Sequence, residues 1–138
     1  MLYTSYFANI RNLPANVVPI AISRGVPDWF DRQFPGQICK RLAPTWDMLN
    51  EWKKEKTAGR YTTCFQEHIL DKLSLTGVIS DLHIALPRGV KEQLDCSIQH
   101  NPYWHVALIC YEKPDSFCHR HLVAEWFNKN GISCEEWR

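Results

Sequence analysis

A chain of 138 residues, 45% hydrophobic and carrying six Trp, six Phe and five Tyr, has the size of one domain and enough apolar bulk to fill a core without staples. Sixteen Lys plus Arg against fifteen Asp plus Glu leave a net charge of +1, which excludes recognition of nucleic acid or an anionic membrane by a bulk field; any such partner has to be held locally. The opening MLYTSYFANIRNLP lacks the basic region and apolar run of a secretory signal, and no segment approaches the roughly eighteen apolar residues of a membrane span, so the expectation is a cytoplasmic protein with no membrane partner. The cysteines, at 39, 64, 96, 110, 118 and 134, lie in apolar stretches and read as reduced thiols.

In chain order, LYTSYF (2–7) and NVVPIAIS (16–23) are short β-branched and aromatic runs that read as strands. The second is apolar on consecutive positions, as in a strand covered on both faces within a parallel sheet, although Pro19 lacks a ladder donor. After Arg24-Gly25-Val26-Pro27 the stretch to Pro44 reads as a loop-rich but ordered excursion over the sheet edge. Thr45 caps a helix whose apolar positions Trp46, Leu49 and Trp52 fit the helical period only in part, with Lys53, Lys54 and Lys56 near its end. Tyr61, Cys64, Phe65, His68, Ile69 and Lys72 define one face of a further helix, and Val78, Ile79, Leu82 and Leu86 one face of another, over 76–86. Pro87 to Pro102 has no clear period and reads as a loop with short structure at most.

WHVALICY (104–111) has the length and unbroken apolarity of a central buried strand. Asp115 or Ser116 is the expected N-cap of a helix that ends at Asn130-Gly131, and ISCEEW follows as a last strand. The fold class is therefore α/β: a single domain over 1–138 with a mostly parallel sheet flanked by helices.

Helical spacing sorts the reactive groups of CYEKPDSFCHRHLVAEW (110–126). His119 aligns with Leu122, Val123, Trp126 and Phe127 and points inward, while Arg120 and His121 turn away toward loops or solvent. Parallel sheets bind ligands beyond the carboxyl ends of their strands, where a following helix also presents unpaired N–H groups to anions. That edge collects Ser5, Tyr6 and Asn9, Ser23 and Arg24, and Cys110 to Lys113, together with Cys118, His119 and Arg120.

TSYFAN at 4–9, ISRGVP at 22–27, LAP at 42–44, Tyr61 with Phe65, and above all the paired CYEK and CHRH motifs resemble the family of unknown function DUF488. The resemblance spreads over nearly the whole chain, except 87–102, which is longer than the usual connection there. It implies a small Rossmann-like intracellular protein of bacteria and phages, and it implies no settled activity.

Three chemistries compete for this edge. In the first, Cys118 is a nucleophile activated by the helix start and neighbouring cations. His119 then moves protons, Glu112 acts as base or orienter with Cys110 beside it, and Arg24, Ser23, Lys113, Arg120, Ser5, Tyr6 and Asn9 bind an anionic ligand. A variant keeps the pocket for a nucleotide phosphate and leaves the thiols as bystanders; no GxGxxG or Walker loop supports dinucleotide or P-loop chemistry, and the sequence names no cofactor. In the second, Cys110, Cys118, His119 and His121 bind zinc, but the adjacency of 118 and 119 and the opposed directions of 119 and 121 argue against a four-ligand cage, so no metal is assigned. His68 and His105 read as hydrogen-bonded core residues. In the third, Trp29, Phe30, Phe34, Trp46 and Trp52, with Lys40, Arg41, Lys53 and Lys54, form a nucleic-acid-binding surface without catalysis. The first reading, an enzyme for an anionic small molecule or nucleic-acid-like ligand, is preferred, with oligomeric state undetermined.

Overall fold

The computed structural model describes residues 1–55, 57–87, 89–90, 105–113 and 116–138, and not the side chain of Glu55. Strands β1 (Leu2–Tyr6), β2 (Val17–Ala21), β3 (His105–Cys110) and β4 (Cys134–Glu136) form a parallel sheet in the order β2-β3-β1-β4. Helices α1 (Asp28–Gln33), α2 (Trp46–Glu55), α3 (Ala58–His68), α4 (Leu75–Ala85) and α5 (His119–Lys129) join them. The expected α/β class and central position of β3 are borne out. None of the described helices is long and apolar enough to cross a membrane. The Pro87–Pro102 connection, expected as a loop, falls outside the described residues except for 87, 89 and 90, as do Cys96, Lys56, Trp104 and Asp115.

Strands β2 and β3 are covered on both faces, which is why their sequences are almost continuously apolar. Leu2, Val18, Ile20, Ile22 and Leu108 pack against Met48, Phe65, Val78, Val123 and Phe127 from α2 to α5. Val17, Ala21, Ala107 and Ile109 pack on the opposite side against Phe7 and Phe30. Complete burial of side chains such as Phe65, Phe127 and Leu108 contributes about 1.5–3 kcal/mol apiece to this assembly.

Pro19 is accommodated because its backbone faces the outer side of β2. Its carbonyl accepts from Gln37 Nε2 (2.8 Å), while the neighbouring Ala21 bridges to Ile38 on the same side. The excursion toward Pro44 is ordered, as expected, and it contains α1 and an extension of the sheet edge.

Thr45 caps α2 as expected, Oγ1 accepting from the Met48 N–H (3.2 Å), and Ser74 caps α4 by accepting from the Gly77 N–H (3.1 Å). On α4, Val78 and Leu82 are buried but Ile79 is exposed, so the apolar face is narrower than its sequence. Gly131, with φ +83°, closes α5 in the left-handed conformation glycine favours.

Candidate active site

Helix α5 begins at His119, with Cys118 as its extended N-cap residue (φ −153°, ψ 142°), not at Asp115 or Ser116 as the capping pattern suggests. Phe117 explains the delay. Its ring packs at 4.9 Å from Trp52 and 5.4 Å from Tyr61, so the chain stays extended until this anchor is seated.

Starting the helix at 119 drops His119 onto the sheet edge. Its Nε2 lies 2.7 Å from the carbonyl oxygen of Ile22, just beyond the end of β2. A carbonyl only accepts, so Nε2 carries the hydrogen and donates. The other ring nitrogen, Nδ1, then faces two sulfurs: Cys110 Sγ at 3.6 Å, from the last residue of β3, and Cys118 Sγ at 3.9 Å. All three residues are buried, and Phe65 packs against the imidazole at 5.4 Å.

The two thiols are driven apart. Hydrogen bonding with Cys110 lowers the Cys118 pKa, overcoming the burial that pushes it up, and His119 lowers it further. Cys110 moves upward for the matching reason, reinforced by burial and by negative charge on Cys118. Burial, followed by charge on the two cysteines, likewise raises Tyr61. One proton shared between the sulfurs satisfies this arrangement; two full thiolates alone do not. The ligand atoms of Cys110, Cys118 and His119 all lie within 4.8 Å of one another, a separation compatible with coordination of one metal ion.

Above this cluster opens a cleft of about 300 Å³ at the carboxyl edge of the sheet. Cys110, Cys118 and His119 line it with Ser23, Arg24 and Glu112, so the expected convergence of Arg24, Glu112 and His119 on one cavity is present. Arg24 is fixed by donation from Nε to the Pro44 carbonyl (2.9 Å), and Ser23 Oγ donates to the Gly25 carbonyl (2.6 Å). The walls are aromatic: Trp46, Trp52, Tyr61, Tyr111 and Phe117.

The remaining expected ligand-binding residues lie elsewhere. Arg120, expected to turn away, is wholly buried: Nε and Nη2 donate to the two Glu136 carboxylate oxygens (3.1 and 2.8 Å), and Nη1 donates to the Glu112 carbonyl. Thr4 Oγ1 donates to the same carboxylate (2.6 Å), and Tyr6 lies under the guanidinium at 5.9 Å. The correction has a simple cause, since the half-buried carboxylate of β4 pulls Arg120 toward the sheet rather than into solvent. Ser5 Oγ and Asn9 Nδ2 both donate to the Trp137 carbonyl (2.9 and 3.1 Å), stapling the C-terminal segment, and Lys113 is exposed without lining the cleft.

His121 is half-buried, and its Nε2 is enclosed without a hydrogen-bond partner among the described residues. His68 is exposed rather than in the core, because it occupies the last position of α3, and His105 Nδ1 meets the N-terminal amine at 2.7 Å. The five described cysteines are free thiols.

Of the aromatic residues expected on one surface, Phe30 is in the core and Trp46 and Trp52 are cleft walls, while Arg41 pairs with Asp81. Sequence reasoning missed Tyr61 and Leu49 as cleft residues. The available signal was the imperfect period of α2: Trp46 and Leu49 sit off its core face because they border a cavity.

Fold and cleft define a class: a small parallel α/β protein whose sheet edge carries a cysteine–histidine cluster beneath an aromatic-walled cavity. The DUF488-N3a family model, described as the active DUF488-N3 subclade, matches residues 8–131, and the chain belongs to this family. No curated protein and no solved structure matches it.

Proposed function

We propose that the cleft is the active centre of a hydrolase or transferase whose substrate joins a planar ring to an anionic group, as a nucleotide does. Arg24 holds the anion with the guanidinium nitrogens beyond its fixed Nε, Ser23 braces the turn before Gly25, and the aromatic walls receive the ring. Cys110, Cys118 and His119 form the reacting end, and Glu112 at the rim exchanges the proton. One observation carries the reading: a cation, a carboxylate and a buried Cys/His cluster open onto the same cleft. Pockets that combine apolar walls with a few convergent polar groups are the usual setting for small-molecule chemistry. The description of the matching subclade as active agrees with it.

Calorimetry with nucleoside 5′-monophosphates, the parent nucleosides and inorganic phosphate tests the recognition step. The monophosphates should bind most tightly, and Arg24→Ala should weaken them by about 10- to 100-fold, the range for losing a charged hydrogen bond. Failure of every monophosphate to bind the wild-type protein would remove the nucleotide reading. Turnover followed by NMR with a bound nucleotide should disappear in Cys118→Ala.

A further inference from the structure

We infer that Cys110 Sγ, Cys118 Sγ and His119 Nδ1 form a three-ligand zinc site whose fourth position opens into the cleft. The inference deepens the active-centre reading and rests on it for the identity of what fills that position. It assigns Cys118 as a ligand, not as the attacking group.

Geometry supplies the first reason. Zinc–sulfur and zinc–nitrogen bonds of about 2.3 and 2.05 Å at tetrahedral angles place sulfur and nitrogen ligands about 3.5 Å apart and two sulfurs about 3.8 Å apart. The two sulfur-to-Nδ1 separations are 3.6 and 3.9 Å, and no pair of the three atoms exceeds 4.8 Å. Shifts of tenths of an ångström for Nδ1, and at most about an ångström between the sulfurs, complete the shell.

The second reason is the far side of the imidazole. Metal-binding histidines commonly donate their other N–H to a carbonyl or carboxylate, which fixes the tautomer and aims the lone pair. Donation from His119 Nε2 to the Ile22 carbonyl at 2.7 Å does both, leaving Nδ1 directed at the sulfurs.

Charge is the third. Two thiolates and a neutral imidazole around a divalent ion sum to zero, so a filled site buries no net charge beneath the aromatic walls. Thiolate and imidazole ligands together favour zinc over magnesium or calcium, and three protein ligands with an open position are the pattern of catalytic rather than structural zinc. The rejected four-ligand cage needed His121; the cleft takes its place.

The test uses the full chain, reduced with a phosphine, stripped with chelator and titrated with cobalt(II). About one equivalent should produce the intense visible bands of tetrahedral cobalt and a near-ultraviolet thiolate-to-cobalt transition, all bleached by zinc. Cys118→Ala and Cys110→Ala should each lose the tetrahedral bands and at least half of the thiolate transition, whereas Cys64→Ala, outside the cluster, should keep both. Should either cluster variant fail to fold, zinc protection of the wild type decides: mass spectrometry should find alkylation of Cys110 and Cys118 slowed by zinc relative to the stripped protein, and that of Cys64 unchanged, whereas equal rates with and without zinc at all three would overturn the site. Absence of the cobalt spectrum in folded, reduced wild type, or a spectrum unchanged in a folded Cys118→Ala, overturns the site. Arg24→Ala should retain cobalt while binding nucleotide about 10- to 100-fold more weakly, so failure of the metal site and failure of the ligand reading are told apart.

Discussion

Arg120→Ala should destabilise the fold by about 3–5 kcal/mol, the usual cost of removing one partner from a buried ion pair. The guanidinium is completely buried, and the Glu136 side chain is only 14% exposed, so water can replace the lost bonds only in small part. Among the described residues Thr4 Oγ1 alone would remain on the carboxylate, and the Glu112 carbonyl would lose the Arg120 donor. Urea denaturation measures the loss. Arg120→Lys should fall between wild type and Ala, because an ammonium keeps the charge but cannot reproduce a planar fork that reaches both carboxylate oxygens and a carbonyl. An Ala variant within 1 kcal/mol of wild type would contradict the whole account of this residue. The effect extends to the cleft, since the bond to Glu112 ties the segment after β3, which borders the cavity, to the start of α5 and to β4.

This role was hidden in the sequence for a definite reason. Helical periodicity assigns directions around one helix, and by that measure Arg120 leaves the core face occupied by His119, Val123 and Phe127. It carries no information about a carboxylate sixteen residues later on the far strand, and the pairing with Glu136 is a tertiary choice. Ser5 and Asn9 were misplaced for the same reason. Their position at the carboxyl end of β1 was legible, but the C-terminal segment that consumes their donors packs there only in three dimensions.

What periodicity and composition did specify was the sheet and the cluster. Unbroken apolar runs in β2 and β3 required cover on both faces, and two layers supply it. A histidine on the inner face of α5, following a strand that ends in cysteine, had to meet that cysteine if the sheet was parallel, and they meet at 3.6 Å. The helix start was less legible because Ser116 satisfies the chemistry of an N-cap while Phe117 prefers an aromatic pocket made by α2 and α3. Local capping preferences are worth about 1 kcal/mol, and burial of a Phe side chain exceeds that.

His119→Ala should cost about 2–4 kcal/mol, combining a buried carbonyl left without its donor with a void beside an aromatic ring. The carbonyl is that of Ile22, and the ring is Phe65, which is fully buried. His119→Gln separates the two tasks of the imidazole. A glutamine amide still donates to Ile22 and fills much of the volume, so at least half of the lost stability should return. It does not restore an imidazole nitrogen 3.6 and 3.9 Å from the two sulfurs, so the cobalt spectrum of the wild type should be lost or altered in the folded variant. Thermal unfolding and cobalt titration on the same preparations give both readings. If glutamine restored neither stability nor metal binding, the Ile22 bond would have no separable structural role; if it left the spectrum of the wild type unchanged, His119 would not be a ligand.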